Sequence, residues 1–270
     1  MNWALCLLCL LLLAPPTPAA QATERWHAFT ATHGLAGNIV QALWEDPAGR
    51  MWFGTENGVS RYDGRSWASF DEGDGLIDSN VWSISGSGDT VWLATSRGIS
   101  RLRDGAWRSY GMADGLPGED VRAVLVASDG TVWAGLFGRG IARLAPGAER
   151  WEVFPLAQTE PQGAFVQAIW QAPSGDLWFS VSGAGAFRLR AATFERFTFR
   201  LGNRNTVWSF GTIPGAPDVY LGTFLGLARI GADDTVTLVD DLVQGIPLTT
   251  TEILAVAGDE RGRSNSSRVP

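Results

Sequence analysis

Beyond Cys9 the chain has no cysteine, it has no lysine anywhere, and its only histidines are His27 and His33. The first absence excludes a disulfide framework, a thiol nucleophile and a cysteine-based metal site from everything after the first nine residues. The scarcity of histidine leaves no His/Cys metal spacing and no ready general base. Asp71-Glu-Gly-Asp-Gly75 is acidic but misses the spacing of a calcium loop. All 21 basic residues are arginine, and with 28 acidic residues the formal charge is −7. That balance gives no electrostatic footprint for nucleic acid. No glycine-rich phosphate loop follows a strand, and no segment of helical period separates the strand-like runs.

Long hydrophobic runs are also missing after the N-terminus. Ala4–Ala14 is apolar, followed by Pro15-Pro16-Thr17-Pro18 and then Ala20-Gln21-Ala22. Eleven apolar residues fall short of the roughly 20 that span a bilayer. The pattern is that of a signal peptide over residues 1–22, cut after Ala22, and it implies export to a periplasm.

What the chain has in abundance is tryptophan (13) and glycine (33), arranged in a cassette of about forty residues. Its copies begin at Trp52-Phe-Gly-Thr-Glu-Asn-Gly-Val-Ser-Arg61, Trp92-Leu-Ala-Thr-Ser-Arg-Gly-Ile-Ser-Arg101, Trp133, Trp178 and Tyr220, steps of 40, 41, 45 and 42 residues. Each copy reads as four short strands, a to d, bounded by Gly, Asp or Pro. Four antiparallel strands per forty residues make a β-propeller blade. The expected fold is all-β, with complete blades over 39–70, 80–110, 120–154, 165–199 and 205–239 and a partial sixth from 251. The propeller region is 23–262, and 263–270 reads as a disordered tail. A lone strand d at Trp26 and a final strand a at Glu252–Val256 leave the ring unclosed. The expectation is therefore an incomplete ring, a fragment of a longer protein with two open flanks and poor solubility.

Fixed slots have packing reasons. Strand a reads Val-x-small-apolar, as in Val40-Gln-Ala-Leu43 and Val81-Trp-Ser-Ile84. Two residues after the strand-b aromatic stands Gly54, Ala94, Gly135, Ser180 or Gly222. Both suit close approach between blades. Arg61, Arg101, Arg143, Arg188 and Arg229 recur in every copy, so each is expected to serve its own blade by pairing with a carboxylate or carbonyl. Trp26, Trp67, Trp107, Trp151 and Phe194 mark strand d as packing aromatics.

Variation within the fixed repeat marks the candidate site. The x position of strand a is Gln41, Trp82, Arg122, Gln167 or Trp208. The b–c tips carry Glu56 and Asn57, Arg97, Phe137 and Arg139, and Phe224. These tips and the d–a connections gather at one face around the axis of a propeller. Mixed aromatic, amide and arginine side chains around a concavity suit a small molecule, a saccharide or a short peptide. A catalytic role would fall to His27 or His33; His33-Gly-Leu occupies the slot of Asp74-Gly-Leu and Asp114-Gly-Leu, which makes it a loop residue.

Asp74-Gly-Leu76, Asp114-Gly-Leu-Pro117, Glu45-Asp-Pro-Ala-Gly-Arg-Met-Trp-Phe-Gly-Thr55 and Gly58-Val-Ser-Arg-Tyr-Asp63 resemble the two-component regulator propeller repeat. The likeness runs over roughly 26–262 and loosens in the fourth and fifth copies. It implies seven-bladed propellers, often in tandem, that form the periplasmic ligand-sensing part of hybrid sensor histidine kinases. There an immunoglobulin-like domain, a membrane helix and an output domain follow. A receptor of this kind acts as a dimer, needs no cofactor in its sensor part, and meets the membrane only through that downstream helix. The resemblance implies no enzymatic activity for these repeats themselves. Propeller lyases acting on cyclic peptide antibiotics (streptogramin lyases) carry similar Gly-x-Leu-Trp-Phe runs but need a catalytic His and acid. A protein–protein scaffold is the third alternative.

Overall fold

Strict alternation of strand formers with glycine-bearing turns produces five antiparallel sheets of four strands. The computed structural model describes residues 28–154, 165–199, 205–224 and 226–239, together with 242–243, 246–247, 253, 255–258 and 264–267. Residues 1–22, expected to be a signal peptide, and Trp26 and His27 lie outside the described residues. The first blade is β1 (Val40–Glu45), β2 (Met51–Thr55), β3 (Gly58–Tyr62) and β4 (Trp67–Phe70). The second is β5 (Val81–Ser87), β6 (Thr90–Thr95), β7 (Gly98–Arg103) and β8 (Ala106–Tyr110). The third is β9 (Val121–Val126), β10 (Val132–Leu136), β11 (Gly140–Leu144) and β12 (Glu152–Phe154). The fourth is β13 (Val166–Gln171), β14 (Leu177–Val181), β15 (Gly185–Arg190) and β16 (Thr193–Phe197). The fifth is β17 (Val207–Thr212), β18 (Val219–Thr223), β19 (Gly226–Ile230) and β20 (Val236–Leu238). Two strand pairs follow, β21 (Leu242–Val243) with β22 (Ile246–Pro247) and β23 (Ala255–Gly258) with β24 (Ser264–Ser267).

The innermost strands pack in succession, β1 on β5, β5 on β9, β9 on β13, β13 on β17 and β17 on β23. The sheets therefore fan about an axis, and the chain is a β-propeller. Four core clusters lie between neighbouring blades and each contains the strand-b tryptophan of the earlier one; in the fifth blade Tyr220 holds that place, packed against Leu227 and Ile253. Trp52 packs with Val81, Ile84 and Leu93; Trp92 with Val121 and Trp151; Trp133 with Val166 and Phe179; Trp178 with Val207, Phe210 and Ile230. Close approach needs the small strand-b residues: a Cβ on Gly54 would lie 2.8 Å from Val81 Cγ1, and one on Gly135 would lie 2.6 Å from Val166 Cγ1.

The d–a connection is a capped turn. Asp74 Oδ2 accepts from the Asp71 N–H at 3.0 Å, Asp114 Oδ2 from Gly111 at 2.9 Å, and His33 Nδ1 from Thr30 at 3.2 Å. His33 thus does the work of the aspartates. The next residue, Gly75, has φ +117 and faces Trp107 Cβ, which a Cβ of its own would meet at 3.1 Å. Leu35, Leu76 and Leu116 then enter the core.

Three expectations change. Arg61 and Arg101 do not pair with carboxylates among the described residues. Each guanidinium lies over its cross-strand tryptophan, at 5.5 Å from the Trp52 centroid and 5.4 Å from that of Trp92. An indole lies opposite in the third and fourth blades too. What differs is strand d, where Ala68 and Arg108 stand opposite Arg61 and Arg101 while Glu152 and Glu195 stand opposite Arg143 and Arg188, so the first two cations keep only the ring face. Arg143, Arg188 and Arg229 do reach Glu152, Glu195 with Asp234, and Asp218. Second, Ser264–Ser267, expected in a disordered tail, pairs in antiparallel register with Ala255–Gly258. A polar segment takes the strand-b slot because ladder hydrogen bonds come from the backbone. Third, the final strand a runs to Gly258, beyond Val256; residues 252 and 254 lie outside the described residues. Among the described residues no helix is long and apolar enough to cross a membrane.

Candidate functional site

The innermost strand of each of the five blades carries the same irregularity. The register against strand b slips between Val40 and Ala42, between Val81 and Ser83, between Val121 and Ala123, between Val166 and Ala168, and between Val207 and Ser209. The residue skipped each time is the variable x residue: Gln41, Trp82, Arg122, Gln167 and Trp208. A β-bulge leaves one residue out of the ladder and re-aims its side chain. Here five bulges, one per blade, send five side chains toward the axis.

The five converge on one cavity of about 540 Å³, closed further by Phe137 and Phe165. That volume lies in the ordinary range for small-molecule sites. Phe137 comes from the b–c tip of the third blade and Phe165 from the lead-in to β13. Their rings stack at 4.8 Å with an 18° interplanar angle. Arg122 is held among aromatics, with its Cζ 3.9 Å from the Trp82 centroid and 5.5 Å from that of Phe137. Its Nη2 donates to Asp120 Oδ2 at 2.8 Å, so the cation enters the site already neutralised by a carboxylate. Gln41 Nε2 donates to Asn80 Oδ1 at 2.8 Å, and Trp82 Nε1 donates to Ser96 Oγ at 2.9 Å.

The remaining polar atoms are unfilled. Gln41 Oε1, Gln167 Oε1, Arg122 Nε and Trp208 Nε1 have no partner among the described residues. Two carbonyl acceptors, an indole donor and a guanidinium donor therefore sit in a cavity otherwise walled by aromatic faces. Such a set can hydrogen-bond hydroxyl or amide groups while rings cover apolar faces of a ligand. None of the seven lining side chains is a base or acid that exchanges protons near neutral pH.

The structure gathers Gln41, Trp82, Arg122, Gln167 and Trp208 with the tip residue Phe137, but not the tips Glu56, Asn57, Arg97, Arg139 and Phe224. Glu56 accepts from the backbone N–H groups of Asn38 at 3.2 Å and Ile39 at 3.0 Å, tying down the entry to β1. The backbone N–H groups of Asn57 and Arg97 donate to Thr55 and Thr95 in the b–c turns. Arg139 lies against Gly118, where a Cβ would meet its Cγ at 2.9 Å. Phe224, half-buried, donates its backbone N–H to Thr206 O at 3.3 Å. Phe165 was not singled out from the sequence. Its signal was the slot just before the strand-a valine, occupied by Ile39, Asn80, Asp120, Phe165 and Thr206, which varies as freely as the x slot.

The family described as Two component regulator propeller matches residues 34–57, which run from the d–a turn through β1 and β2 to the b–c tip. Residues 34–57 thus match that repeat, and the other blades copy the architecture of this stretch. No curated protein matches the chain by sequence. Among solved structures, the extracellular domain of a putative one component system from B. thetaiotaomicron superposes with a TM-score of 0.63 at 20% identity, over 85% of this chain and 37% of that one. The extracellular domain of a putative hybrid two component system from the same organism gives 0.60 at 16% identity, over 90% of this chain and 40% of that one. Virginiamycin B lyase from Staphylococcus aureus gives 0.68 at 12% identity, over 86% of this chain and 84% of that one. At these identities the likeness is one of fold. The chain spans little more than a third of the length of the first of these proteins.

Proposed function

We propose that this chain, whose residues 34–57 match the two component regulator propeller repeat, is the extracytoplasmic ligand-sensing propeller of a two-component signalling receptor. It holds a saccharide or short peptide in the axial cavity. The observation that carries the reading is the convergence of the bulge residues. The five bulges turn a variable position of each copy toward one concavity, while the positions that build the blades stay constant. The likeness to extracellular domains of putative one- and two-component systems supports the same reading. Binding is favoured over turnover because the lining offers stacking faces and hydrogen-bonding groups but no acid–base pair. The nearest carboxylate, Asp120, is committed to Arg122, and His33 serves its own turn.

The test is calorimetric titration of the full chain with a panel of neutral and acidic oligosaccharides and short peptides. The expected result is saturable binding by at least one class, weakened about tenfold or more by Trp82→Ala and by Trp208→Ala. No binding across the panel, or binding indifferent to both substitutions, overturns the reading.

A further inference from the structure

The a–b corner of the first blade holds a carboxylate in a fixed frame. Asp46 Oδ2 accepts from Trp52 Nε1 at 2.9 Å and from Arg50 Nε at 2.6 Å, and its Oδ1 accepts from the backbone N–H groups of Ala48 and Arg50, both at 3.0 Å. The Asp46 side chain is 1% exposed.

The fourth blade keeps the frame and loses the carboxylate. Ala172 donates to Asp176 O at 2.9 Å and accepts from Gly175 at 2.8 Å, just as Asp46 donates to Arg50 O at 2.9 Å and accepts from Gly49 at 2.8 Å. Ala172 therefore stands where Asp46 does, and Asp176 where Arg50 does. Trp178, fully buried, is left with Nε1 unpartnered among the described residues. Beside it a cavity of about 300 Å³ opens between the fourth and fifth blades, walled by Ala172, Pro173, Pro217, Val219 and Ile230. Antiparallel topology places it at the end of the propeller opposite the axial cavity, where strands a end and strands b begin.

A guanidinium is present as well. Arg190, across the ladder on β15, spends Nε and Nη2 on Asp176, leaving Nη1 uncommitted among the described residues and half the side chain exposed. The carboxylates at the cavity are occupied: Asp176 by Arg190, and Asp234 by Arg188. The unused capacity at this corner consists of donors, an indole N–H and a guanidinium N–H, the same pair that holds the Asp46 carboxylate. The third blade sharpens the point. Ala127 fills the same slot there and Trp133 Nε1 is also unpartnered, but the position matching Arg190 is Ala145, so no second donor is supplied.

We propose that this crevice binds a small carboxylate with a short apolar body. Its oxygens take the place that the Asp46 side chain fills in the first blade, and its carbon chain lies against Pro173, Pro217 and Ile230. The site is independent of the axial cavity and of the ligand proposed for it.

Sodium butyrate is the probe, titrated into the full chain labelled with ¹⁵N at the indole nitrogens. The resonance that disappears in Trp178→Phe identifies Trp178. The expected result is a saturable shift of that resonance. Ala172→Asp builds the carboxylate into the protein and should weaken butyrate about tenfold or more. Arg190→Gln should weaken it by a similar factor, and Trp208→Ala in the axial cavity should leave it unchanged. If Ala172→Asp does not fold, Ala172→Asn serves, since it fills the same slot with a carbonyl. A Trp178 resonance that does not move, butylamine binding in place of butyrate, or an affinity for butyrate in the Ala172 and Arg190 variants unchanged from the parent overturns the proposal.

Discussion

Val40 and Leu43 in the first blade occupy the repeat positions of Val81 and Ile84 in the second, and their surroundings are opposite. The first pair is 41% and 60% exposed, the second 0% and 8%. Local sequence, strand geometry and bulge are the same. What differs is that β5 has β1 against it and the outward face of β1 is uncovered by any described blade. Burial in this fold is supplied by the neighbour and not by the blade's own composition, as in any stacked repeat. The largest test follows directly. Val121→Asp places an unpaired carboxylate against Trp92 and Tyr110 in a closed cluster and should cost about 4 kcal/mol or more, enough to prevent folding. Val40→Asp should cost within about 0.5 kcal/mol. Chemical denaturation of both variants checks the contrast; equal losses would mean that the first blade's face is covered in solution.

The same contrast explains how far the residues could be read in advance. The forty-residue period, the small strand-b residues and the Val-x-small-apolar strand state blade packing directly, because each slot repeats a constraint from the adjoining sheet. Gly54 is legible as a close-approach residue for that reason. The bulge is not legible, since a skipped residue exists only relative to the register of a partner strand. Variation at Gln41, Trp82, Arg122, Gln167 and Trp208 marks the slot; the geometry that unites them needs the ladder. Glu56 and Arg139 vary as much and serve as local braces, so variability alone does not separate a cavity wall from a turn support. Arg61 shows the limit in another way. Its recurrence marks a structural role, but whether it gains a carboxylate or keeps only the indole face depends on the strand-d residue opposite it, Ala68 for Arg61 and Glu152 for Arg143.

A second comparison, between the a–b corners of the first and fourth blades, is broken by removing an indole N–H. Trp52→Phe takes a donor from the buried Asp46 carboxylate and should destabilise by about 1–3 kcal/mol beyond the loss of ring volume. Trp178→Phe loses the same buried ring volume but only an N–H that no described group accepts, so it should cost about 1–3 kcal/mol less than Trp52→Phe. Thermal or denaturant melts of the two variants side by side decide it. Equal losses would mean that the Trp178 N–H is satisfied in solution, by water or by a bound carboxylate.

The smallest expected effect is the acid response of the same two corners. Burial raises the pKa of Asp46, but the hydrogen bonds from Trp52 and Arg50 outweigh it and hold the carboxyl below its ordinary 3.8. Asp176 is lowered first by its hydrogen bond from Arg190, with burial opposing. A carboxyl depressed in the folded state contributes stability that is present above the ordinary value and is lost as pH falls through the folded one. Both corners should therefore weaken below about pH 4 and be insensitive between about pH 5 and 8. The first corner should lose more. Asp46 is sealed from water while Arg190 is 51% exposed, so solvent and salt screen the fourth-blade pair and leave it little net strength. Denaturant midpoints taken between about pH 6 and pH 3 should accordingly flatten more in Asp46→Asn than in Arg190→Gln. The reverse order would mean that the exposed pair, and not the sealed carboxylate, carries the acid sensitivity.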